Sequence, residues 1–249
     1  MRFRPRHALT MFAAVLVPFE AATAMTVQPV VIDLGTSGRS MSQVITVENT
    51  FATTLPVELT VHELTLTENG VVMDKAESDD LLVFPPQALI EPGQTQTFRV
   101  QYVGEPDMAK SKHYYVTVAQ LPVKLPEGQS AIQILYNFQV LVSVSPAGAK
   151  PDISVQSAQI TTNKDGKFVP QITVRNASNA HGYLSKGTLR IVEKDSSGKE
   201  EFKRAISGAE IQQTIGFGLI GGDQTRTLTV PVELPDGKGT VEASFSADR

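Results

Sequence analysis

From Thr26 to Ser145 the chain is a succession of short runs rich in Val, Ile, Thr, Leu and Tyr, broken at near-regular intervals by Gly, Pro, Asn and Asp. Short alternating runs with turn residues between them specify antiparallel β-structure closed into a sandwich or barrel. The predicted strands are Val27 to Leu34, Ser42 to Glu48, Val57 to Thr67, Leu82 to Pro85, Gln94 to Tyr102, His113 to Pro122 and Ala131 to Ser145. No stretch keeps a 3.6-residue apolar period over three turns, and the intervals are too short for crossover helices. A parallel α/β sheet is therefore disfavoured.

The strand pattern stops at Pro146-Ala147-Gly148-Ala149-Lys150-Pro151, where prolines, a glycine and small residues can neither continue a ladder nor pack a core. Residues 147–151 read as a linker. Beyond it the β style resumes over Ile153 to Thr161, Phe168 to Asn176, Gly187 to Glu193, Glu201 to Ile206, Thr225 to Val232 and Gly239 to Ser246. The predicted fold class is all-β, with two immunoglobulin-like β-sandwich domains, 25–146 and 152–249, on either side of the linker. The two halves share no fixed-period repeat, which argues against a solenoid or propeller.

Residues 1–24 place Arg2, Arg4 and Arg6 before the apolar run Ala8 to Phe19 and end on Ala22-Thr23-Ala24. Charge, an apolar stretch and a small-residue site in that order are the anatomy of a cleavable secretory signal peptide. The apolar run is about a dozen residues, short of the roughly 20 that span a bilayer as a helix. Export without stable membrane insertion is the expectation. The formal charge is -4, and removing a leader with three arginines against Glu20 leaves a chain near -6. An acidic chain argues against nucleic acid as a partner. With no cysteine, disulfides, thiol chemistry and cysteine-based zinc sites are excluded.

The run Ala131 to Ser145 covers about 15 residues, where strands ordinarily have about five or six. Its even positions, Ile132, Ile134, Tyr136, Phe138 and Val140, share one face. They can face the core of their own sandwich, or project from an edge strand toward a partner that is bound by strand addition. A long unprotected edge is an aggregation hazard, retained mainly where a partner uses it.

Phe84-Pro85-Pro86-Gln87, Ile90-Glu91-Pro92-Gly93-Gln94, Phe98-Arg99-Val100, Tyr114-Tyr115-Val116 and Gln120-Leu121-Pro122, followed by the long strand and Pro146, resemble the first domain of the PapD-like periplasmic pilus chaperones. Val174 to Tyr183 resembles the family's segment in which an asparagine ends a strand. The resemblance implies a periplasmic chaperone, not an enzyme, that needs no cofactor or metal. It would complete immunoglobulin-like pilus subunits, which lack their last strand, by inserting its own long strand, and then pass them to an outer-membrane usher. The implied inserted side chains are Ile132, Ile134 and Tyr136, with Phe138 as a fourth. Whether the free protein self-associates through this strand is open. The alternative is a secreted β-rich pilus or adhesin subunit, for which a donor segment near the mature N-terminus is expected instead.

The sequence departs from the family's best-known branch. That branch grips the subunit carboxylate with an arginine and a lysine, at positions matching Val30 and Leu141 here. Its interdomain ion pair falls on Gln120 and Ser145. A divergent branch is implied, similar to the archaic or alternative systems. With a turn near residue 126, position 141 would lie opposite Lys112 or His113. Lys112, His113 and Arg99 are thus candidates for a substitute anchor, against the reading that they are solvated surface charges.

Catalytic readings find little support. His62, His113 and His181 are far apart in sequence with no metal-ligand spacing. Asp79-Asp80 and Glu200-Glu201 are adjacent carboxylates expected in solvated loops. Gly216 to Gly222 is glycine-rich but lacks the strand-turn-helix context of a phosphate cradle, and is expected as a flexible surface loop.

Overall fold

The computed structural model describes residues 25–68, 70–123, 134–235 and 237–248. The first half forms β1 (Met25–Gln28), β2 (Val31–Gly35), β3 (Ser42–Asn49), β4 (Leu55–Thr67), β5 (Gly70–Glu77), β6 (Leu81–Phe84), β7 (Gln87–Ile90), β8 (Thr95–Tyr102), β9 (Lys112–Gln120) and β10 (Asn137–Ser145). One sheet runs β1-β3-β8-β6; the other runs β2-β10-β9-β4-β5, with β7 beside β4. Period-two alternation turns Ile45, Val47, Phe98 and Val100 of the first sheet toward Val57, Leu59, Tyr114, Val116, Val140 and Val142 of the second.

The second half forms β11 (Ile153–Thr162), β12 (Phe168–Asn176), β13 (Gly182–Tyr183), β14 (Gly187–Lys194), β15 (Glu200–Ile206), α1 (Gly208–Ile215), β16 (Leu219–Ile220), β17 (Thr225–Thr229) and β18 (Thr240–Ala247). Sheets β11-β12-β17 and β15-β14-β18 and the pair β13-β16 enclose a second core around Ile172, Val174, Leu189, Ile191 and Ile206. The fold is all-β, as expected.

Several elements differ from the sequence reading. The predicted strand Val27 to Leu34 is two strands. The chain leaves the first sheet after Gln28 and enters the second at Val31, and Pro29 between them has no N–H to give a ladder. Strands β5 and β7 and helix α1 were not predicted. Gly216 to Gly222 is not a surface loop: Gly218 to Gly222 are buried, and Tyr183 pairs with Leu219. A Cβ on Gly222 would lie 2.2 Å from the Asn179 carbonyl oxygen, so absence of a side chain is what permits the packing. Asp80 is no solvated loop charge either. Its Oδ2 accepts from Lys112 Nζ at 2.8 Å and Tyr114 OH at 2.6 Å. Burial raises its pKa, but these donors outweigh that and hold it below the usual carboxylate range.

Two buried asparagines close corresponding strands. Asn49, at the end of β3, donates Nδ2 to the carbonyls of Thr53 at 2.9 Å and Ile90 at 2.8 Å, and its Oδ1 accepts the Phe51 N–H at 2.9 Å. Asn176, at the end of β12, donates to the carbonyls of Ala180 at 2.6 Å and Gly221 at 3.0 Å and accepts the Asp152 N–H at 3.0 Å. Each satisfies backbone groups that the ending strand leaves unpaired, which fixes the next loop.

Candidate functional site

Strand β10 lies between β9 and β2, but its two neighbours cover different lengths. The antiparallel ladder with β9 runs from Asn137↔Ala119 to Val144↔Lys112. The parallel ladder with β2 covers only Leu141↔Val31 to Ser145↔Gly35. Because the first strand has crossed from the other sheet, the edge of Asn137–Val140 away from β9 has no strand beside it among the described residues. Among the described residues no strand pairs with its backbone groups there.

The even positions of this run grade from core to solvent. Val140, Val142 and Val144 are fully buried, Phe138 and Tyr136 are half-buried against the first core, and Ile134 is 70% exposed. The even positions are thus core-directed from Val140 to Val144 and solvent-exposed at Ile134. Ile132 lies outside the described residues, as do the other residues of 124–133 and the predicted leader, 1–24. Among the described residues the predicted 15-residue strand is regular over Asn137–Ser145. Before that, Gln120 N–H donates to the Tyr136 carbonyl at 2.9 Å, and the Gln120 side chain accepts from Tyr136 N–H at 3.3 Å. Beyond Gln120, β9 has ended, and with it the ladder.

The three candidate anchor residues are not brought together. Position 141 is opposite Tyr115, whereas Lys112 and His113 face Val144 and Ser143, because the pairs centre about two residues beyond the turn near 126 that the sequence implied. Lys112 is tied to Asp80, and its pKa is raised by that hydrogen bond. His113 is 4% exposed, and burial, with His181 beside it, pushes its pKa down to about 3. It is neutral near pH 7. Arg99 is exposed in β8 of the other sheet, between Val44 and Phe84. Val30 and Leu141, the positions that match the missing basic pair, are neighbours here: Leu141 N–H donates to the Val30 carbonyl at 3.0 Å.

Sequence reasoning missed the polar cluster between the domains. Asp33 of β2 accepts from Tyr183 OH at 2.7 Å and Lys186 Nζ at 2.7 Å and lies 2.9 Å from His181 Nε2. His181 Nδ1 reaches Ser145 Oγ at 2.9 Å and Ser111 Oγ at 3.1 Å. Its ring meets that of His113 edge-on with centroids 5.4 Å apart, so two histidines remote in sequence converge. Burial pushes the Asp33 carboxyl up, but hydrogen bonds from His181, Lys186 and Tyr183 outweigh it and hold it well below the usual range. Gln120 and Ser145, which match the family's interdomain ion pair, carry no charge; the charged contact between the domains is centred on Asp33. Among the described residues no three His, Cys, Asp or Glu side chains form a group that could hold a metal ion.

Residues 24–150, just over half of the chain, match the family described as pili and flagellar-assembly chaperone, PapD N-terminal domain. No curated protein sequence matches the chain. Among solved structures, a chain of the chaperone–tip adhesin complex of CFA/I fimbriae is similar at 14% identity and a TM-score of 0.52, over 89% of this chain and 98% of that one. The CsuC–CsuE chaperone–tip adhesion subunit pre-assembly complex from archaic chaperone-usher Csu pili of Acinetobacter baumannii is similar at 13% identity and a TM-score of 0.51, over 89% and 98%. The class 5 fimbriae chaperone CfaA is similar at 16% identity and a TM-score of 0.51, over 88% and 98%. At these identities the solved structures establish the fold, and the match over the first domain establishes the family. The chain is a divergent member of the PapD-like family of pili and flagellar-assembly chaperones.

Proposed function

We propose that this protein is a periplasmic chaperone that stabilises incomplete immunoglobulin-like pilus subunits by donating the N-terminal half of its long strand, residues 132–138, and delivers them to an outer-membrane usher. The observation that carries the reading is the unpaired edge of Asn137–Val140 next to an outward-graded face ending in Ile134. A subunit lacking its last strand exposes unpaired backbone groups and apolar pockets, both unfavourable in water. One donated strand satisfies both, with main-chain bonds giving affinity and Ile132, Ile134, Tyr136 and Phe138 filling pockets. No catalytic step is required, since the favourable step is pairing and burial.

Subunit holding differs from that of the best-known relatives. Val30 and Leu141 offer no cation, Lys112 is engaged by Asp80, and His113 is buried and neutral. The reading is therefore that strand pairing and pocket filling carry the affinity, and that Asp33 and its donors fix the angle between the domains. Co-expression with an exported β-rich polypeptide encoded beside this chain, followed by purification of the pair, tests it. Ile134→Asp should abolish the complex while the chaperone stays folded; an undiminished complex would refute strand donation by this face.

A further inference from the structure

We propose that Phe51 is a positioning residue for strand donation: it clamps Tyr136 against the first sandwich, so that the donated face begins at a fixed point with Ile134. This rests on the strand-donation reading. Three contacts converge on Tyr136. Its carbonyl accepts from Gln120 N–H at 2.9 Å, its N–H donates to Gln120 Oε1 at 3.3 Å, and its ring lies 5.9 Å from that of Phe51 at an interplanar angle of 42°. That separation and tilt fall within the favourable range for aromatic pairs.

Phe51 is itself held. It sits in the loop joining β3 to β4, and the Asn49 carboxamide fixes both sides of it, accepting the Phe51 N–H at 2.9 Å and donating to the Thr53 carbonyl at 2.9 Å. The same carboxamide donates to the Ile90 carbonyl at 2.8 Å, and Asn49 N–H donates to the Gln94 carbonyl at 3.0 Å. The loop is thereby anchored to the turn after β7. Asn49 is 0% exposed, and Phe51 and Tyr136 both pack on the first core. A rigid support thus reaches the donated segment two residues C-terminal to the exposed Ile134.

The consequence follows from the two-residue period. With the Tyr136 side chain fixed toward the core, Ile134 falls on the same face but beyond the sandwich, where its exposure is 70%. A partner then meets a segment whose direction and phase are already set, and less chain entropy is lost on binding. Without the Phe51 ring, the bonds from Gln120 and the remaining core contact hold Tyr136 less firmly. The segment would then sample both faces before pairing.

The test uses the full mature chain with Phe51→Ala, Phe51→Leu and Ile134→Asp, and two measurements. In the free protein, amide hydrogen exchange over residues 134–138 should quicken in Phe51→Ala while residues 140–144 stay as protected as in the parent. Phe51→Leu, which keeps the packing, should restore protection. In complex formation with the co-expressed neighbouring subunit, Phe51→Ala should weaken affinity about tenfold through lost preorganisation, at a melting temperature that does not track the loss across the variants. Unaltered exchange over 134–138 in Phe51→Ala, or undiminished affinity for the subunit, would overturn the positioning role. If Ile134→Asp binds normally, strand donation itself falls, whereas a failure confined to Phe51→Ala leaves it standing.

Discussion

The Asp33 carboxylate and the His181 imidazole meet at 2.9 Å across the two domains, one from the middle of β2 and the other from the loop that follows the buried Asn176. Tyr183 and Lys186 reach the same carboxylate, so one side chain of the first domain gathers three from the second.

This geometry predicts unequal effects at the two ends of the ion pair. Lys186 is 67% exposed at its side chain, and screening limits such a pair to at most about 1 kcal/mol. Asp33 also accepts from the buried Tyr183 and contacts the buried His181, and its removal takes the partner from His181 Nε2 and leaves Tyr183 OH the longer bond to Ser143 Oγ at 3.3 Å. Asp33→Ala should destabilise by about 2 kcal/mol, Lys186→Ala by less than about 1 kcal/mol. Urea unfolding of the two variants measures the contrast; equal losses would show that Lys186 carries the contact.

The same interface should make stability pH-dependent. An unfolded histidine titrates near 6.5, while folded His113 is pushed down to about 3 by burial and by His181. Between these values the unfolded chain binds a proton that the folded one excludes, so stability falls as pH drops through that window. From pH 6.5 to 5 the loss is about 2 kcal/mol at 1.36 kcal/mol per unit. The depressed Asp33 carboxyl acts lower, its contribution being present above the unfolded carboxyl value near 4 and lost as pH falls through its folded value. His113→Asn should remove most of the difference in unfolding free energy between pH 7 and pH 5. A variant that keeps the full difference would place the titrating group elsewhere.

Two glycines with different surroundings separate packing from backbone freedom. A Cβ at Gly222 would strike the Asn179 backbone, with the carbonyl oxygen at 2.2 Å, whereas at Gly166 it would meet open space, and the constraint there is a φ of 76°. Gly222→Ala should therefore cost about 1–3 kcal/mol through forced displacement, and Gly166→Ala about 1 kcal/mol through conformation alone. Thermal melts distinguish them. Gly222→Ala should also loosen the domain interface, read as faster exchange at Ser111, whose N–H donates to the Asn179 carbonyl at 2.9 Å.

The strands of both sandwiches were legible because their side chains alternate: β4 from Leu55 to Val61 and β9 from Tyr114 to Val118 bury every second residue, and the pattern is written in Val, Leu and Tyr. Strand β5 was not, because its outer-edge residues are nearly all exposed and carry no alternation. The even face of residues 132–138 was legible by the same period, but where it passes from core to solvent depends on how far β2 extends, which no local pattern states. The register of Lys112 was misplaced because it depends on where the β9–β10 pairing centres, which no local pattern states. The Asp33 cluster was invisible for a different reason, since its members are separated by up to 153 positions and join only through domain packing.

The graded face of the long strand yields the last prediction. Val140 is fully buried in the first core, and Val140→Ala should destabilise by about 2 kcal/mol through the cavity it leaves. Ile134 is 70% exposed, so Ile134→Ala should leave the melting temperature of the free protein unchanged and weaken subunit binding, because its apolar surface is buried only in the complex. Phe138, half-buried between them, should show both effects in smaller measure on Phe138→Ala. A scan of these three positions, reading melting temperature and complex affinity together, should thus show stability loss rising from 134 to 140 as binding loss falls. If binding loss tracks stability loss at all three, the face serves the core throughout, and strand donation must use another edge.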